Sequence, residues 1–273
     1  MGRQGSILVK KLHRYRQLMP YLMPTRNESV VYYDTYIKAE ELLRFLESVK
    51  DSNPKITLTH LLVKACAMGM YQHPTMNQYI SGQRLYQKET VEISFSLKKE
   101  KVSHSPIKVL KMEIPQKESL QELSLRIQER LGVERSEKKT YTDKEIDYLS
   151  LLPRFLLRTL VKIVRALDYY NLLPQAFIKN DPLYASLFIA NLGSIGLDPG
   201  YHHLYEYGTI SIFCMAGKIK DMPIVEDGKI IAQKTLHIRW SYDERIDDGM
   251  SSTNGIATVV KILENPFEYF PLQ

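Results

Sequence analysis

The densest chemistry in this chain of 273 residues lies at Asp243 to Gly249, where six residues supply four carboxylates and one arginine ahead of a glycine. A carboxylate serves as a general base where burial raises its pKa toward neutrality, and an arginine can hold carboxylates or carbonyls in fixed places. The simplest reading of DERIDD is nonetheless a solvated turn that caps the next helix. Histidines are the other proton carriers to weigh. His202 and His203 fall in a tyrosine-rich loop, DPGYHHLYEYG, where packing or surface roles are the simpler expectation. His237 precedes the turn on the same strand as Glu244, and pairing across a sheet accounts for it. The sequence has no phosphate loop, dinucleotide fingerprint, C-x-x-C or H-E-x-x-H, so no metal is expected. Gly193-Ser194-Ile195-Gly196 is one residue short of a serine-hydrolase elbow.

The elements that must position these residues can be read from periodicity. Leu236, Ile238 and Trp240 alternate with His237, Arg239 and Ser241, the pattern of a half-buried strand running into the turn. A closing helix carries Ile256, Val259, Val260 and Leu263, begins near Ile256 and stops at Asn265-Pro266. Upstream, GTISIFCMAGKI alternates as a strand, and Asp227-Gly228 is the turn of a hairpin. Near the N-terminus residues 10–24 predict a short helix or arm, and VVYYDTYI a strand. Helices follow over residues 38–50 and from the cap Thr57 to before Pro74. VEISFSL and residues 107–114 predict two further strands, and Ser119 with Glu122 forms a capping box ahead of another helix. The charged run ERSEKKTYTDKE, residues 134–145, predicts a surface linker.

SYDERIDDG resembles the His-x-x-x-Asp-Gly signature shared by the chloramphenicol acetyltransferase family and the catalytic domains of dihydrolipoamide acyltransferases in 2-oxo acid dehydrogenase complexes. Ser241, Asp243, Arg245, Asp248 and Gly249 match the pattern S-x-D-H-R-x-x-D-G, and Glu244 stands where the histidine would be. LFIANLGSIG is similar to the family's F-x-I-S-N-L-G-x-x-G, with Asn191, Leu192, Gly193 and Gly196 matching and Ala190 in the serine's place. Pro74 and Asn77 fit a P-x-x-N segment. The resemblance covers roughly residues 20–133 and 182–270, which leaves an atypical insertion at about 134–181 within a single domain.

That resemblance implies an α/β (α+β) two-layer sandwich with a mixed sheet flanked by helices, assembled as a homotrimer with active sites at subunit interfaces. A thiol carrier and an acyl thioester would enter a channel from opposite ends. A histidine of one subunit would take the thiol proton, and a serine of its neighbour would bind the oxyanion. Glu244 and Ala190 change both groups. Losing one oxyanion donor costs about 10²–10³ in rate and losing a general acid–base about 10²–10⁴. The resemblance therefore implies a CoA-thioester-dependent acyltransferase with an altered site, or a catalytically silent trimeric scaffold or binding protein. CoA or acyl-CoA is the implied substrate, no cofactor is bound covalently, and a free acceptor is expected over a tethered arm. Asp248 would orient the turn through an arginine partner, Gly249 would give the turn backbone freedom, and Ala190, Asn191, Gly193 and Arg245 would line the channel and turn. Apart from the resemblance, His202 and His203 are the histidines available as substitute proton carriers, with His203 the candidate, against their simpler packing or surface role.

A hydrophobic content of 44% over this length supports a sizeable core in one domain. The net charge of +6 comes from bases interspersed with acids, which does not argue for nucleic acid. Cys66 and Cys214 sit in apolar segments and read as small buried hydrophobes, consistent with a reducing compartment. The N-terminus carries only a short apolar patch, so secretion is not expected and the cytoplasm is. Residues 153–170 are strongly amphipathic. Arg154, Arg158, Lys162 and Arg165 share one side, and Phe155, Leu156, Leu160, Ile163, Val164 and Leu167 the other. The simpler expectation is a helix packed on the domain with a solvated basic face. The alternative is a helix lying on a membrane surface or against an acidic partner. The spaced charges exclude a membrane span.

Overall fold

A computed structural model describes residues 3, 5–98, 107–135 and 151–271. In chain order the elements are β1 (Ser6–Leu8), α1 (Arg14–Leu22), β2 (Val30–Lys38), α2 (Glu40–Ser48), α3 (Leu58–Gln72), β3 (Gln78–Ser81), β4 (Arg84–Lys88), β5 (Glu92–Lys98) and β6 (Ile107–Glu113). They continue as α4 (Leu120–Arg135), α5 (Arg154–Tyr169), α6 (Gln175–Asn180), β7 (Leu187–Asn191), β8 (Ile212–Glu226), β9 (Lys229–Asp243), α7 (Gly249–Glu264) and α8 (Pro266–Tyr269).

The alternation in β9 does what its pattern predicts. Leu236, Ile238 and Trp240 are fully buried on the helical side of the sheet, and His237, Arg239 and Ser241 take the opposite face. β9 pairs antiparallel with β2, from Val30 opposite Asp243 to Lys38 opposite Thr235, and antiparallel with β8 across the Asp227-Gly228 turn. Positive φ at both turn residues, 49° and 73°, matches the right-handed twist of the flanking strands. β8–β7 and β7–β5 are parallel and β5–β6 antiparallel, so the six-stranded sheet, β2-β9-β8-β7-β5-β6, is mixed.

One layer of helices covers this sheet. The segment LTHLLVKACAMGMYQ is apolar nearly all round, so α3 can be buried on several sides, and ten of its residues are. It packs between the sheet and α7, with Leu61, Leu62 and Ala65 joining Ile93, Ile189, Cys214 and Trp240 in one core. Burying each large side chain there contributes about 1.5–3 kcal/mol. Local signals set the helix starts: Thr57 and His60 bond reciprocally at the head of α3, and Ser119 and Glu122 do so ahead of α4. Cys66 and Cys214 are free and buried side by side, and burial raises the Cys214 thiol pKa.

Three features depart from the sequence reading, and one expectation falls mostly outside the described residues. A small antiparallel sheet, β1-β4-β3, was not foreseen; its hairpin turns at Gly82-Gln83. α7 begins at Gly249 rather than near Ile256, because Asp248 caps it. The expected linker at 134–145 lies outside the described residues, apart from Glu134 and Arg135 at the end of α4. The third departure is α5, which does not pack its apolar face on the domain: none of its residues is buried. No helix among the described residues is long and apolar enough to cross a membrane.

Candidate active site

The end of β9 is pinned from both sides. The amide of Asp243 donates to the carbonyl of Ser211 (2.9 Å) and that of Glu244 to Ser29 (3.0 Å), so the turn Asp243–Asp248 is fixed to two neighbouring segments. The Asp243 carboxylate is fully buried and accepts from Arg245 Nε (2.9 Å) and Nη2 (2.8 Å) and from the Ser29 hydroxyl (3.0 Å). Arg245 also donates from Nη1 to the carbonyl of Met23 (2.9 Å), tying the turn to the end of α1. From α1, Arg16 donates to the carbonyls of Glu244 (3.4 Å) and Arg245 (3.2 Å).

The far side of the turn is equally occupied. Asp247 accepts from the Thr75 hydroxyl (2.6 Å) and the Asp248 amide (2.8 Å); burial raises its pKa, and the Thr75 bond offsets part of that. Asp248 is exposed and caps α7 by accepting from the Ser251 amide (2.8 Å), a bond that lowers its pKa. The expectation of a solvated turn is thus corrected, since Asp243, Arg245 and Asp247 are buried and only the helix cap holds. Asp248 makes no ion pair with an arginine among the described residues: its carboxylate caps the helix, and Arg16, which braces the turn through backbone carbonyls, acts on it through its charge alone. Gly249 has no positive φ and open space where a Cβ would stand, so the turn does not use its freedom.

Glu244 is the exception within this turn. It is half-buried, its backbone is held at both ends, and its carboxylate makes no hydrogen bond or ion pair among the described residues.

Ala190 lies elsewhere. It is buried on the opposite face of the sheet in a cluster with Phe188, Phe213 and Met215. Its register partner is Met215, whose own partner on β9 is Arg239, two strands from β7. From Arg239 to Asp243, the last residue before Glu244 and the end of β9, the strand advances about 13 Å at roughly 3.3 Å per residue. A single chain therefore does not bring Ala190 and Glu244 together. Asn191 donates to Thr59 Oγ1 (3.2 Å) and accepts from the Ser194 amide (3.2 Å), which closes the short turn after β7. Gly193 packs there with no room for a side chain, since a Cβ would stand 2.4 Å from the Gly217 carbonyl oxygen.

His202 stacks on Phe213 (4.1 Å between centroids) and its carbonyl accepts from Ser241 (2.5 Å); burial lowers its pKa. His203 is exposed and stacks on His202 (4.7 Å), with no hydrogen bond or ion pair to Glu244 among the described residues. His237 pairs across strands as expected, its Nε2 lying 2.6 Å from Asp34 Oδ1. Arg239 Nε shares that oxygen (2.8 Å), and its guanidinium lies 3.9 Å from the centre of the Tyr201 ring. Although burial acts the other way, the bonds from His237 and Arg239 hold the Asp34 carboxyl below its usual pKa. This cluster was missed beyond His237; its signal was the alternation Tyr32-x-Asp34-x-Tyr36 facing His237-x-Arg239.

A second group also escaped the sequence reading. Arg26 is 4% exposed and donates to the carbonyls of Tyr205 and Gly208 (both 2.7 Å), and burial draws its pKa below the usual arginine range. It lines a cavity of about 140 Å³ with Arg165, Asp168, Tyr207 and Arg245, which joins the end of α5 to the back of the turn. No group of three or more metal-ligating side chains occurs among the described residues.

A mixed sheet backed by one helical layer, with a braced, charged turn between its longest hairpin and the closing helix, defines a chloramphenicol acetyltransferase-like acyltransferase fold. Within that class the chain belongs to the 2-oxoacid dehydrogenases acyltransferase (catalytic domain) family, whose sequence model matches residues 10–151 and 179–270. It is 32% identical over 82 residues to the dihydrolipoyllysine-residue acetyltransferase component of the pyruvate dehydrogenase complex of Staphylococcus aureus, a stretch that is 30% of this chain and 19% of that protein. A probable dihydrolipoamide acetyltransferase from Listeria monocytogenes superposes with a TM-score of 0.63 at 15% identity, over 94% of each chain. A chloramphenicol acetyltransferase does so with a TM-score of 0.57 at 9% identity, over 94% of this chain and 99% of that one. The stretch unmatched by the family, residues 152–178, contains α5.

Proposed function

We propose that the protein is a thioester-dependent acyltransferase that takes acyl-CoA, with Glu244 as general base in the position the family gives to histidine. The observation that carries this reading is the selective isolation of one carboxylate. Asp243, Arg245, Asp247 and Asp248 each hold the turn together, whereas Glu244 has a fixed backbone and a side chain with no hydrogen bond or ion pair among the described residues. In the reaction, Glu244 takes the proton of an acceptor thiol or hydroxyl as the acceptor heteroatom attacks the thioester carbonyl. The tetrahedral oxyanion collapses, the C–S bond breaks, and the departing CoA thiolate recovers the proton from Glu244. The separation of Ala190 from Glu244 within one chain supports a site completed by a neighbour, in the homotrimer implied by the family resemblance. No covalently bound cofactor takes part, and the free buried thiols suit a reducing compartment.

A second reading is favoured by Ala190, whose methyl group offers no donor for an oxyanion: a trimeric scaffold or binding protein that retains the fold without the reaction. The test is thiol release from a panel of acyl-CoA thioesters with simple acceptors, comparing the parent with Glu244→Gln and Glu244→His. Turnover by the parent that falls about 10²–10⁴-fold in the glutamine variant supports the enzyme. An inert parent with activity gained in the histidine variant supports the scaffold.

A further inference from the structure

Helix α5 is built unlike the other long helices of this chain. None of its 16 residues is buried, and Phe155 (69%), Ile163 (50%), Leu156 (44%) and Leu160 (36%) stand in solvent, with Tyr170 (65%) just beyond its end. A soluble helix ordinarily gains its stability by burying such a stripe, and a contiguous apolar patch of this kind marks an interaction surface.

The layout of the helix identifies what covers it. At 3.6 residues per turn, Arg154, Arg158, Lys162 and Arg165 fall in one narrow stripe. Next to it comes the apolar band of Phe155, Ile163, Leu156 and Leu160, all exposed, with the half-buried Leu167 among them, and beyond that the half-buried Val164 and Leu157. The helix is moored at its end: Asp168 accepts from Arg3 (2.5 Å) and Tyr184 (2.8 Å), and the Tyr169 hydroxyl donates to Gln83 (2.9 Å). Its sole acidic residue is thus engaged with Arg3, and the free face is cationic and apolar together. A helix with this profile lies in the plane of a bilayer interface, its apolar band among the acyl chains and its basic stripe at the headgroups. A second copy of the chain is the poorer complement, because it carries the same stripe and the same net charge of +6.

We propose that α5 docks the protein on an anionic phospholipid surface. The proposal stands independently of the role of Glu244. The experiment is flotation of the full chain with phosphatidylcholine vesicles, with and without phosphatidylglycerol, at low and high salt. Sedimentation velocity and thermal melting are run on each variant. The parent floats with the anionic vesicles and is released by salt. Phe155→Ser/Ile163→Ser and Arg158→Glu/Lys162→Glu each lower that binding by about tenfold or more while leaving the melting temperature and the oligomeric state unchanged. A parent that ignores anionic vesicles overturns the proposal. So does a serine variant that breaks the oligomer apart, which would make α5 an interface between copies, or a charge variant that binds the vesicles as well as the parent.

Discussion

Asp243 and Arg245 face each other around Glu244 in a doubly bonded ion pair, Nη2 to Oδ2 at 2.8 Å and Nε to Oδ1 at 2.9 Å, with side-chain exposures of 0% and 3%. By drawing its two neighbours inward, the pair leaves Glu244 as the uncommitted carboxylate of the turn. Removing one member leaves the other's buried charge without its ionic partner. Asp243→Asn and Arg245→Gln should each lower unfolding stability by about 3–5 kcal/mol in urea titrations, and the double variant should lose less than the sum.

Among the described residues the Glu244 side chain holds nothing in place, and that is testable apart from activity. Glu244→Gln should keep the parent's unfolding free energy within about 0.5 kcal/mol, as for a side chain without structural partners. A larger loss in chemical denaturation would assign the carboxylate a structural contact and remove the observation on which the proposed base rests.

Stability should fall in mild acid because of His60. Its imidazole is 8% exposed, its Nδ1 accepts from the Thr57 amide, and burial lowers its pKa from 6.5 to about 4. Between those values the unfolded chain binds the proton and the folded chain does not, so stability is complete above pH 6.5 and drains away as pH falls toward 4. The full loss from this group is about 3 kcal/mol at 1.36 kcal/mol per pKa unit. His60→Gln preserves the capping box, since glutamine can accept the same bond. Its urea midpoint should therefore change less between pH 7 and pH 5 than the parent's.

What the sequence disclosed follows the range of the interactions involved. The burial of Leu236, Ile238 and Trp240 is a two-residue period, and the caps at Thr57 and Ser119 and the turn at Asp227-Gly228 are set by residues three apart or fewer, so each was legible. The bracing of the turn was not. Ser29 reaches Asp243 across 214 residues and Thr75 reaches Asp247 across 172, and only the assembled sheet brings either pair together. The same limit explains the error about α5. An amphipathic stripe tells which face is apolar and leaves open what covers it. Arg26 left no local signal at all, because its partners are backbone carbonyls of distant loops.

The turn after β7 offers a packing test of the Asn191-Leu192-Gly193 segment. A Cβ at Gly193 would stand 2.4 Å from the Gly217 carbonyl oxygen and 2.9 Å from Lys218 Cα, backbone atoms that cannot swing aside as a side chain would. They belong to the irregular stretch of β8 where its register with β9 shifts, between Ala216 and Ile219, so relief requires moving either that bulge or the turn that Asn191 caps. Gly193→Ala should therefore lower stability by about 1–3 kcal/mol, the usual cost of overpacking, measured as a shift of the urea midpoint. Should the acyltransferase assay report activity, it should fall further than the fraction unfolded accounts for, because the displaced turn carries Asn191 and adjoins Ala190. An alanine variant as stable as the parent would mean that the turn and the bulge yield freely, and that this glycine is not what fixes the end of β7.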